Sequence, residues 1–401
     1  MPSSTNQPAA MRIIGMMSGT SYDSIDAAAA DISMDNGTLV LTPLGIVSEP
    51  YPEQLLGELA AQLPPAVTTM EQVCRLDTGI GQAFARLAAR ANTELCDGQA
   101  DAVASHGQTV FHWIESGQAM GTLQIGQPAW IAEATGCTVV SDFRPRDIAA
   151  GGQGAPLVGY FDTLWLGNLP GNPVALNLGG IANITVGGQK PAAFDTGPAN
   201  ALIDAAVRHF SAGSANYDVD GAMAARGTVH QQLLGRFLDE PYYALPAPKT
   251  TGKELFHLPY VLKAMEGLGD IADDDVVATL TTLTARTVAN AVAAAEGTEV
   301  IASGGGTLNP SLMKALRLEL GTIGLQTSND LGLDVMAKEA YAFAVLGYLT
   351  LNNLSGTVAG TTGARHPSIL GSITPGNNGL PFRTQQPSTP LALRITNRET
   401  V

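Results

Sequence analysis

The chain has 401 residues and a net charge of −15, with 36 acidic against 21 basic side chains. Its length exceeds what one hydrophobic core usually supports, which predicts two domains, and its hydrophobic share of 45% is typical of a well-buried globular enzyme. The acidic balance and the lack of a basic stripe argue against a nucleic-acid partner, and no apolar run reaches the roughly 18 residues that span a bilayer.

The cysteines and the N-terminal stretch indicate the compartment. Cys74, Cys96 and Cys137 are widely spaced and lack a CxxC pattern, which argues against a disulfide framework or a zinc site and favours a reducing cytoplasm. The first residues lack the basic start, apolar segment and cleavage site of a signal peptide. We therefore expect a cytoplasmic protein without a membrane partner.

The first predicted element is a β-hairpin over Met11–Ile32. The apolar runs Ile13–Met17 and Ile25–Ile32 are joined by a short segment, Ser18–Ser21, of glycine and hydroxyl residues. Small side chains and unobstructed backbone N–H groups at such a tip match phosphate oxygens. The hairpin is therefore a candidate phosphate-binding turn, and the alternative is an ordinary hairpin turn.

The rest of the first half alternates between strand and helix patterns, which predicts an α/β architecture. A strand is predicted over Leu39–Val47, helices over Tyr51–Glu94, and a short buried strand over Asp101–Ser105. Because α/β proteins place ligand contacts at strand ends, His106 and Gln108 just after this strand are candidate substrate contacts, although a lone His is more often structural.

A glycine-rich segment over Ile148–Pro156 is predicted to be a domain boundary. Beyond it, Pro173–Val186 repeats the first pattern, because two apolar runs flank the pair Gly179-Gly180. The recurrence predicts two related α/β domains. Arg144, Arg146 and Asp147 lie near this crossing, and either substrate contacts or surface salt bridges account for them.

The last part of the chain contains a third glycine turn. A strand over Glu299–Ser303 runs into Gly304-Gly305-Gly306, a helix follows over Leu308–Leu320, and a final helix is predicted over Ala337–Leu351. The GxGxxG fingerprint is absent there and no GxxxxGK[ST] motif occurs in the chain, which excludes a P-loop. The tail beyond Asn377 is predicted to be loose.

The three glycine turns together resemble the two phosphate loops and the adenosine loop of the actin–hexokinase–Hsp70 ATPase superfamily. The resemblance implies an α/β, two-domain actin/hexokinase-like ATPase fold with ATP in an interdomain cleft. The implied N-terminal lobe comprises residues 1–146 and 337–401, and the second lobe comprises residues 147–336. The second phosphate loop of that superfamily often carries an Asp, where this chain has Asn177.

A closer resemblance rests on ten segments in this order: GMMSGTSYDSIDA, SHGQTVFH, LQIGQPA, SDFRPRDIAAGGQGAPL, NLGGIANIT, FDTGPAN, DVDGAMAARG, PKTTGKELF, SGGGTLNPSLM and KEAYAFAVL. They are similar to those of the anhydro-N-acetylmuramic acid kinases, with Ser24 where that family usually has Gly. The resemblance implies that water opens the internal bridge of a 1,6-anhydro sugar from cell-wall turnover and that ATP phosphorylates O6, with Mg²⁺ assisting.

The resemblance also implies roles for individual residues. Asp195 is implied as the general base, and Glu339 as a group near the phosphates that orients Mg²⁺ or water; local capping and the helix dipole are the structural alternatives. The residues implied for ATP lie on the three turns: Ser18, Gly19, Thr20, Ser21, Asp23, Ser24, Asp26, Gly179, Gly180, Gly304 and Gly305. Asp23 is a second candidate for Mg²⁺.

Two other functions remain open from the sequence. A conventional sugar or acyl kinase of the same superfamily would phosphorylate a free hydroxyl without hydrolysis. A nucleotide- or sugar-binding protein would bind ATP without turnover, but the pair Asp195 and Glu339 disfavours it. A homodimer is expected from the resemblance alone.

Overall fold

Two β-sheets organise the chain, each within its own unit. In the computed structural model, unit 1 consists of residues 1–168 and 337–401, and unit 2 of residues 169–336. The structure describes residues 10–19, 22, 24–64, 66–188, 191–247, 249–252, 254–357, 362–377, 379–380 and 388–397. The chain passes from unit 1 to unit 2 after Asn168 and returns to unit 1 at Ala337.

The strands of unit 1 are β1 (Met11–Ser18), β2 (Ser24–Asp35), β3 (Thr38–Pro50), β4 (Ala102–Glu115), β5 (Gln118–Ile125), β6 (Thr138–Ser141), β12 (Ser372–Thr374) and β13 (Ala392–Ile395). Its helices are α1 (Glu53–Gln62), α2 (Met70–Cys96), α3 (Pro128–Thr135), α4 (Phe143–Ala149), α5 (Val158–Leu166) and α12 (Lys338–Leu351). The strand order is β12-β6-β4-β1-β2-β3-β13, with β5 paired to β4.

The strands of unit 2 are β7 (Pro173–Leu178), β8 (Ile181–Val186), β9 (Ala192–Pro198), β10 (Glu299–Ser303) and β11 (Gly324–Thr327), in the order β11-β10-β7-β8-β9. Its helices are α6 (Asn200–Phe210), α7 (Ala222–Arg226), α8 (Gln231–Leu238), α9 (Leu258–Met265), α10 (Asp273–Ala294) and α11 (Pro310–Leu320). Short 3₁₀ turns cover Val219–Gly221, Pro241–Ala244, Gly305–Leu308 and Ser328–Leu331.

The two sheets repeat one topology. In unit 1 an antiparallel meander of β1, β2 and β3 is followed by β4 parallel to β1 and β6 parallel to β4. In unit 2 the meander is β7, β8 and β9, with β10 parallel to β7 and β11 parallel to β10. The predicted α/β class is confirmed, and the two predicted glycine-tipped hairpins open the two meanders.

Each sheet is packed against helices whose apolar faces supply the core. In unit 1, Ile14 and Met16 of β1 pack in one cluster with Phe84 of α2. In unit 2, Val174 and Leu176 pack in one cluster with Val288 of α10. Helix α10 is long and apolar enough to cross a membrane by composition, but 72% of its most apolar window is buried, as expected of a core helix.

Two expectations about local structure are wrong. Strand β4 is predicted to end at Ser105, but it runs through His106–Thr109 to Glu115, because its outer part pairs with β5 in a hairpin. The tail beyond Asn377 is not wholly loose, since β13 adds a parallel strand to the free edge of β3 and buries Leu393.

The position of the first crossing, after α5, has a packing cause. Helix α5 is almost entirely buried in unit 1, where Asp162 accepts hydrogen bonds of 3.1 and 3.2 Å from Nζ of Lys338 on α12. Because this ion pair is buried, α5 belongs with the helix that closes unit 1 and not with the strand that follows it. Helix α4 precedes α5 in the chain and also lies in unit 1. It carries Arg144, Arg146 and Asp147.

Candidate active site

Helix α12 lies against β1 so closely that only small residues fit between them. A methyl group added at Gly15 would overlap the backbone carbonyl of Ala340, and one at Gly347 would lie 2.6 Å from Cβ of Ala104 on β4. This close approach places the first turn of α12, with Glu339, on the sheet of unit 1.

The turn after β1 is held from β4 by Gln108, which is completely buried. Its Oε1 accepts hydrogen bonds of 2.8 Å from Ser18 and 3.1 Å from Tyr51, and its Nε2 donates to the carbonyl of Gly19 at 3.2 Å. Because both ends of the amide are used inside the protein, Gln108 supports the hairpin tip. A substrate contact of Gln108 stays a prediction.

Only part of the first glycine turn is described. Ser18 Oγ lies 2.8 Å from the carbonyl of Ser24 across the hairpin, and the N–H of Tyr22 donates to the carbonyl of Gly19 at 3.1 Å. The predicted ATP residues Thr20, Ser21 and Asp23 lie outside the described residues. Asp26 on β2 is half-buried and accepts a hydrogen bond of 2.5 Å from Ser48.

A buried histidine orients Arg144. Nδ1 of His106 lies 2.8 Å from the carbonyl of Gly107, so this nitrogen carries the proton, and Nε2 accepts a hydrogen bond of 2.9 Å from Nε of Arg144. Burial, followed by the Arg144 charge, lowers the pKa of His106 to about 3, which keeps the imidazole neutral and able to accept. Arg144 also donates to the carbonyl of Gly154 at 2.6 Å.

Glu339 lies in the field of this arginine. Burial raises the pKa of its carboxyl, while the charges of Lys338 and Arg144 oppose the rise and those of Asp162 and Asp26 add to it. Reciprocally, burial lowers the pKa of Arg144 to about 10, and Glu339 is the main charge that opposes this. Unit 1 thus brings together Glu339, Asp26, Arg144 and His106 from α12, β2, α4 and β4.

Two other predicted substrate residues differ from Arg144. Arg146 is exposed on α4. Asp147 is completely buried, and its carboxylate accepts hydrogen bonds from the N–H of Gly154 at 2.8 Å and from Thr362 Oγ1 at 2.7 Å. Asp147 therefore fixes the glycine-rich loop after α4, which in turn supplies the carbonyl that holds Arg144.

In unit 2, Asp195 lies on β9, the edge strand of the sheet, and a segment over residues 249–252 lies along that edge. The N–H of Asp195 donates to the carbonyl of Lys249 at 3.0 Å, and Oδ2 of Asp195 accepts from the N–H of Thr251 at 2.9 Å. Tyr242 donates its hydroxyl to the carbonyl of Asp195 at 2.8 Å. We call Tyr242 and residues 249–252 the Asp195 strap.

Lys249 links the two parts of the strap, residues 249–252 and Tyr242. Its Nζ donates to the carbonyls of Tyr242 and Tyr243, each at 3.0 Å, and lies 4.7 Å from the centroid of the Tyr242 ring. The predicted base is therefore fixed by backbone and side-chain contacts from a motif, PKTTGKELF, to which the sequence assigned no role.

The environment of Asp195 suits a base near neutral pH. Burial raises the pKa of its carboxyl to about 6; the Thr251 hydrogen bond opposes the rise and the Glu254 charge adds to it. The β8–β9 ladder places Asn183 directly opposite Asp195. Sequence reasoning missed Asn183, because it sits in the middle of an apolar run and only strand pairing reveals its neighbour.

The second glycine turn uses its carbonyls to cap a helix. The N–H groups of Ala199 and Ala201 donate to the carbonyl of Gly180, and that of Asn200 donates to the carbonyl of Gly179, each at 3.0 Å. Among the described residues, the N–H groups of Gly179 and Gly180 have no acceptor. The turn therefore presents free donors, as an anion site requires.

The third glycine turn combines packing with exposure. A methyl group at Gly304 would lie 2.6 Å from Oδ1 of Asn177, and one at Gly306 would lie 2.7 Å from Cβ of Leu178, so both glycines are needed for close packing on β7. Gly305 between them is exposed, with open space where a side chain would be. Only Gly305 thus leaves its backbone open to a ligand.

The described residues contain no group of three or more metal-ligating side chains. Mg²⁺ bound with a nucleotide needs only one or two carboxylates, since phosphates and water complete its shell. Glu339, with Asp26 close enough to influence its pKa, fits that requirement.

Comparisons with known proteins place the chain among named relatives. The family profile described as anhydro-N-acetylmuramic acid kinase matches residues 11–376. A protein of that name from Streptomyces avermitilis is 63% identical over 383 residues, which cover 96% of this chain and 99% of the relative. One from Rhodococcus erythropolis is 61% identical over 394 residues, with the same coverage. Among solved structures, a ROK hexokinase from Thermus thermophilus aligns over 84% of this chain and 99% of its own, at 17% identity and a TM-score of 0.34.

Proposed function

The chain belongs to the anhydro-N-acetylmuramic acid kinase family, and we propose that it opens 1,6-anhydro-N-acetylmuramic acid with water and phosphorylates O6 with ATP. The products are N-acetylmuramic acid 6-phosphate and ADP. The observation that carries this proposal is Asp195, a half-buried carboxylate with its pKa raised to about 6, fixed by the strap on an edge strand. A base of this kind matches a reaction that must take a proton from water near neutral pH.

The bond changes follow from the chemistry of the substrate. The water oxygen forms a bond to C1 while one water proton passes to Asp195. The C1–O6 bond breaks and its electron pair stays on O6, which then attacks the γ-phosphorus of ATP, and ADP leaves. Base assistance of this type is typically worth about 10²–10⁴ in rate.

We propose that the three glycine turns bind ATP. Free N–H groups at Gly179 and Gly180 supply donors for phosphate oxygens, as does the turn of Ser18, Gly19, Thr20 and Ser21. Gly304 and Gly305 are assigned to the adenosine, with Gly305 as the residue whose backbone is open. In an acidic chain these neutral donors hold a polyphosphate without a basic cluster.

Glu339 and Asp26, with Asp23 from the sequence, are proposed to hold Mg²⁺ beside the phosphates. When bound, the ion neutralises charge that develops on the transferred phosphoryl group. Burial raises the pKa of Glu339, while the positive charges of Lys338 and Arg144 oppose that rise and favour the ionised carboxylate that a metal ligand requires.

Arg144 is the proposed ligand for the lactyl carboxylate of the sugar. The guanidinium has a fixed fork of donors, and two of them are already directed by His106 and by the carbonyl of Gly154. We assign supporting positions to His106 and Gln108, and Asp147 fixes the adjoining loop. Arg146 is exposed on α4 and stays a candidate substrate contact.

The substrate class also implies a cytoplasmic enzyme of cell-wall recycling, with a homodimer as the proposed assembly.

A labelled-water experiment tests the function. The purified chain is incubated with ATP, Mg²⁺ and 1,6-anhydro-N-acetylmuramic acid in ¹⁸O-water, and ADP release and product mass are followed. We expect one ¹⁸O atom at C1 of the phosphorylated product. A phosphorylated sugar without ¹⁸O would indicate a conventional sugar kinase, and ATP binding without ADP release would indicate a binding protein.

A further inference from the structure

Asn183 is the nearest cross-strand neighbour of the proposed base. The β8–β9 ladder pairs Asn183 with Asp195, and the β7–β8 ladder pairs Asn177 with Asn183. Residues directly opposite one another point to the same face of a sheet, with Cβ atoms about 4.5–5.5 Å apart. Three polar side chains thus lie in one row across the meander of unit 2.

A bulge adjusts this pairing at Asp195. Ala182 pairs with Gly197 and the next residue, Asn183, pairs with Asp195, so Thr196 is the extra residue on β9. Thr196 is buried and donates its hydroxyl to the carbonyl of Ala182 at 3.3 Å. Bulges next to active sites re-aim a side chain, and here the residue immediately before the bulge is the proposed base.

The side chain of Asn183 is half-buried, yet no described residue forms a hydrogen bond with its amide. Asn200 shows the contrast, because its Nδ2 donates to the carbonyls of Leu178 at 3.1 Å and Gly179 at 2.9 Å. An amide beside a base, with its donors and acceptor open, is suited to a ligand.

We propose that Asn183 is a second catalytic residue, whose Oδ1 holds the attacking water together with Asp195; this inference rests on the proposed function. Water has two O–H groups, and Asp195 takes the proton of one as the bond to C1 forms. A neutral acceptor for the other O–H fixes the water so that a lone pair faces C1. The amide keeps that hydrogen bond without competing for the proton.

The choice of an amide over a second carboxylate has an electrostatic reason. Two carboxylates at cross-strand distance would share a proton, and the pKa of the pair would rise. Burial has already raised the pKa of Asp195 to about 6, so a second negative charge would leave the base protonated at neutral pH. The neutral amide of Asn183 supplies an acceptor without adding a charge that would raise the pKa of Asp195.

The test compares Asn183→Ala, Asn183→Asp and Asn183→Ser with the wild type and with Asn290→Ala, which alters an exposed amide on α10 of the same unit. We expect N183A to lower kcat about 10²-fold, since misplacing a reacting group costs on that order, with KM for ATP unchanged. N183S keeps a hydroxyl acceptor and should recover part of kcat. N183D should move the acid limb of the pH profile to higher pH.

Two results would overturn the inference while the function stands. In the first, kcat of N183A lies within about twofold of kcat of N290A. In the second, N183A raises KM for the sugar and leaves kcat unchanged, which would make Asn183 a sugar contact. Thermal unfolding of each variant separates these from loss of folded protein, and the N183D pH shift is independent of enzyme concentration. A wild type that forms no labelled product would remove the proposed function and this inference with it.

Discussion

The backbone N–H of Thr251 donates a hydrogen bond of 2.9 Å to Oδ2 of Asp195. This bond stabilises the ionised carboxylate, whereas burial of Asp195 favours the protonated form, and burial has the larger effect. The pKa of about 6 is therefore a balance that depends on a segment more than fifty positions away in the sequence.

The pH dependence of turnover follows from that balance. A general base acts when deprotonated, so kcat/KM should fall as the pH drops through about 6. Asp195→Asn should lower kcat about 10²–10⁴-fold and abolish the acid limb. Initial rates of ADP release between pH 4.5 and pH 8, with enzyme stability checked at each end, measure both effects. An acid limb that persists in D195N would assign it to another group.

Thr251→Pro removes the N–H donor to Asp195. Because that bond favours the charged carboxylate, its loss should raise the pKa of Asp195 and move the acid limb to higher pH. Thr250→Pro is the matched control, since among the described residues the N–H of Thr250 makes no hydrogen bond. Equal shifts in both variants would mean that the strap conformation, and not the hydrogen bond, sets the pKa.

His106→Leu removes the acceptor for Nε of Arg144. A hydrogen bond to a charged group contributes about 1.5–3 kcal/mol, so KM for the anionic sugar should rise roughly tenfold or more. His106→Gln, which keeps an acceptor, should lie nearer the wild type. The wild type should show no limb near pH 6.5 from His106, because the pKa of this residue is already lowered to about 3. An unchanged KM in H106L would separate Arg144 from sugar binding.

The buried ion pair of Lys338 and Asp162 should be costly to break. Their side chains are 3% and 5% exposed, and removing one partner of such a pair typically costs about 3–5 kcal/mol, because a buried charge is left uncompensated. Asp162→Ala should lower the free energy of unfolding, measured in urea, by that amount. Glu71→Ala, which breaks a pair whose side chains are both 74% exposed, should change it by less than about 1 kcal/mol.

Gly15→Ala should disrupt the contact between β1 and α12. The added methyl group would overlap the carbonyl of Ala340, and overpacking of this kind costs about 1–3 kcal/mol. Gly57→Ala on α1, where nothing lies within 4 Å, should instead stabilise the protein by up to about 1 kcal/mol. Thermal unfolding compares the two, and equal melting temperatures would show that the helix can shift to accept the methyl group.

Elements with a strong local pattern were predictable from the sequence. The hairpin over Pro173–Val186 and the strand Glu299–Ser303 are confirmed because apolar runs bounded by glycine turns specify them without help from distant residues. Helix α12 is confirmed within one residue of its predicted start. The two-domain organisation follows from the same two hairpins.

Features that depend on distant partners were not predictable. The strand predicted to end at Ser105 continues to Glu115, because β5 pairs with its outer part from Gln108 onward. Strand β13 exists only because the edge of β3 is free to pair. Asn183 becomes a candidate only when the register of β8 and β9 is known.

The repeated strand order gives each half of the protein the same framework with different occupants. By strand order, the turn after Ser18, between β1 and β2, corresponds to the turn after Leu178, between β7 and β8. The turn after Ser18 is supported by the side chain of Gln108. The turn after Leu178 is supported by N–H groups at the start of α6. Descent from a single ancestral half would explain why the two proposed phosphate turns share one framework and differ in what supports them.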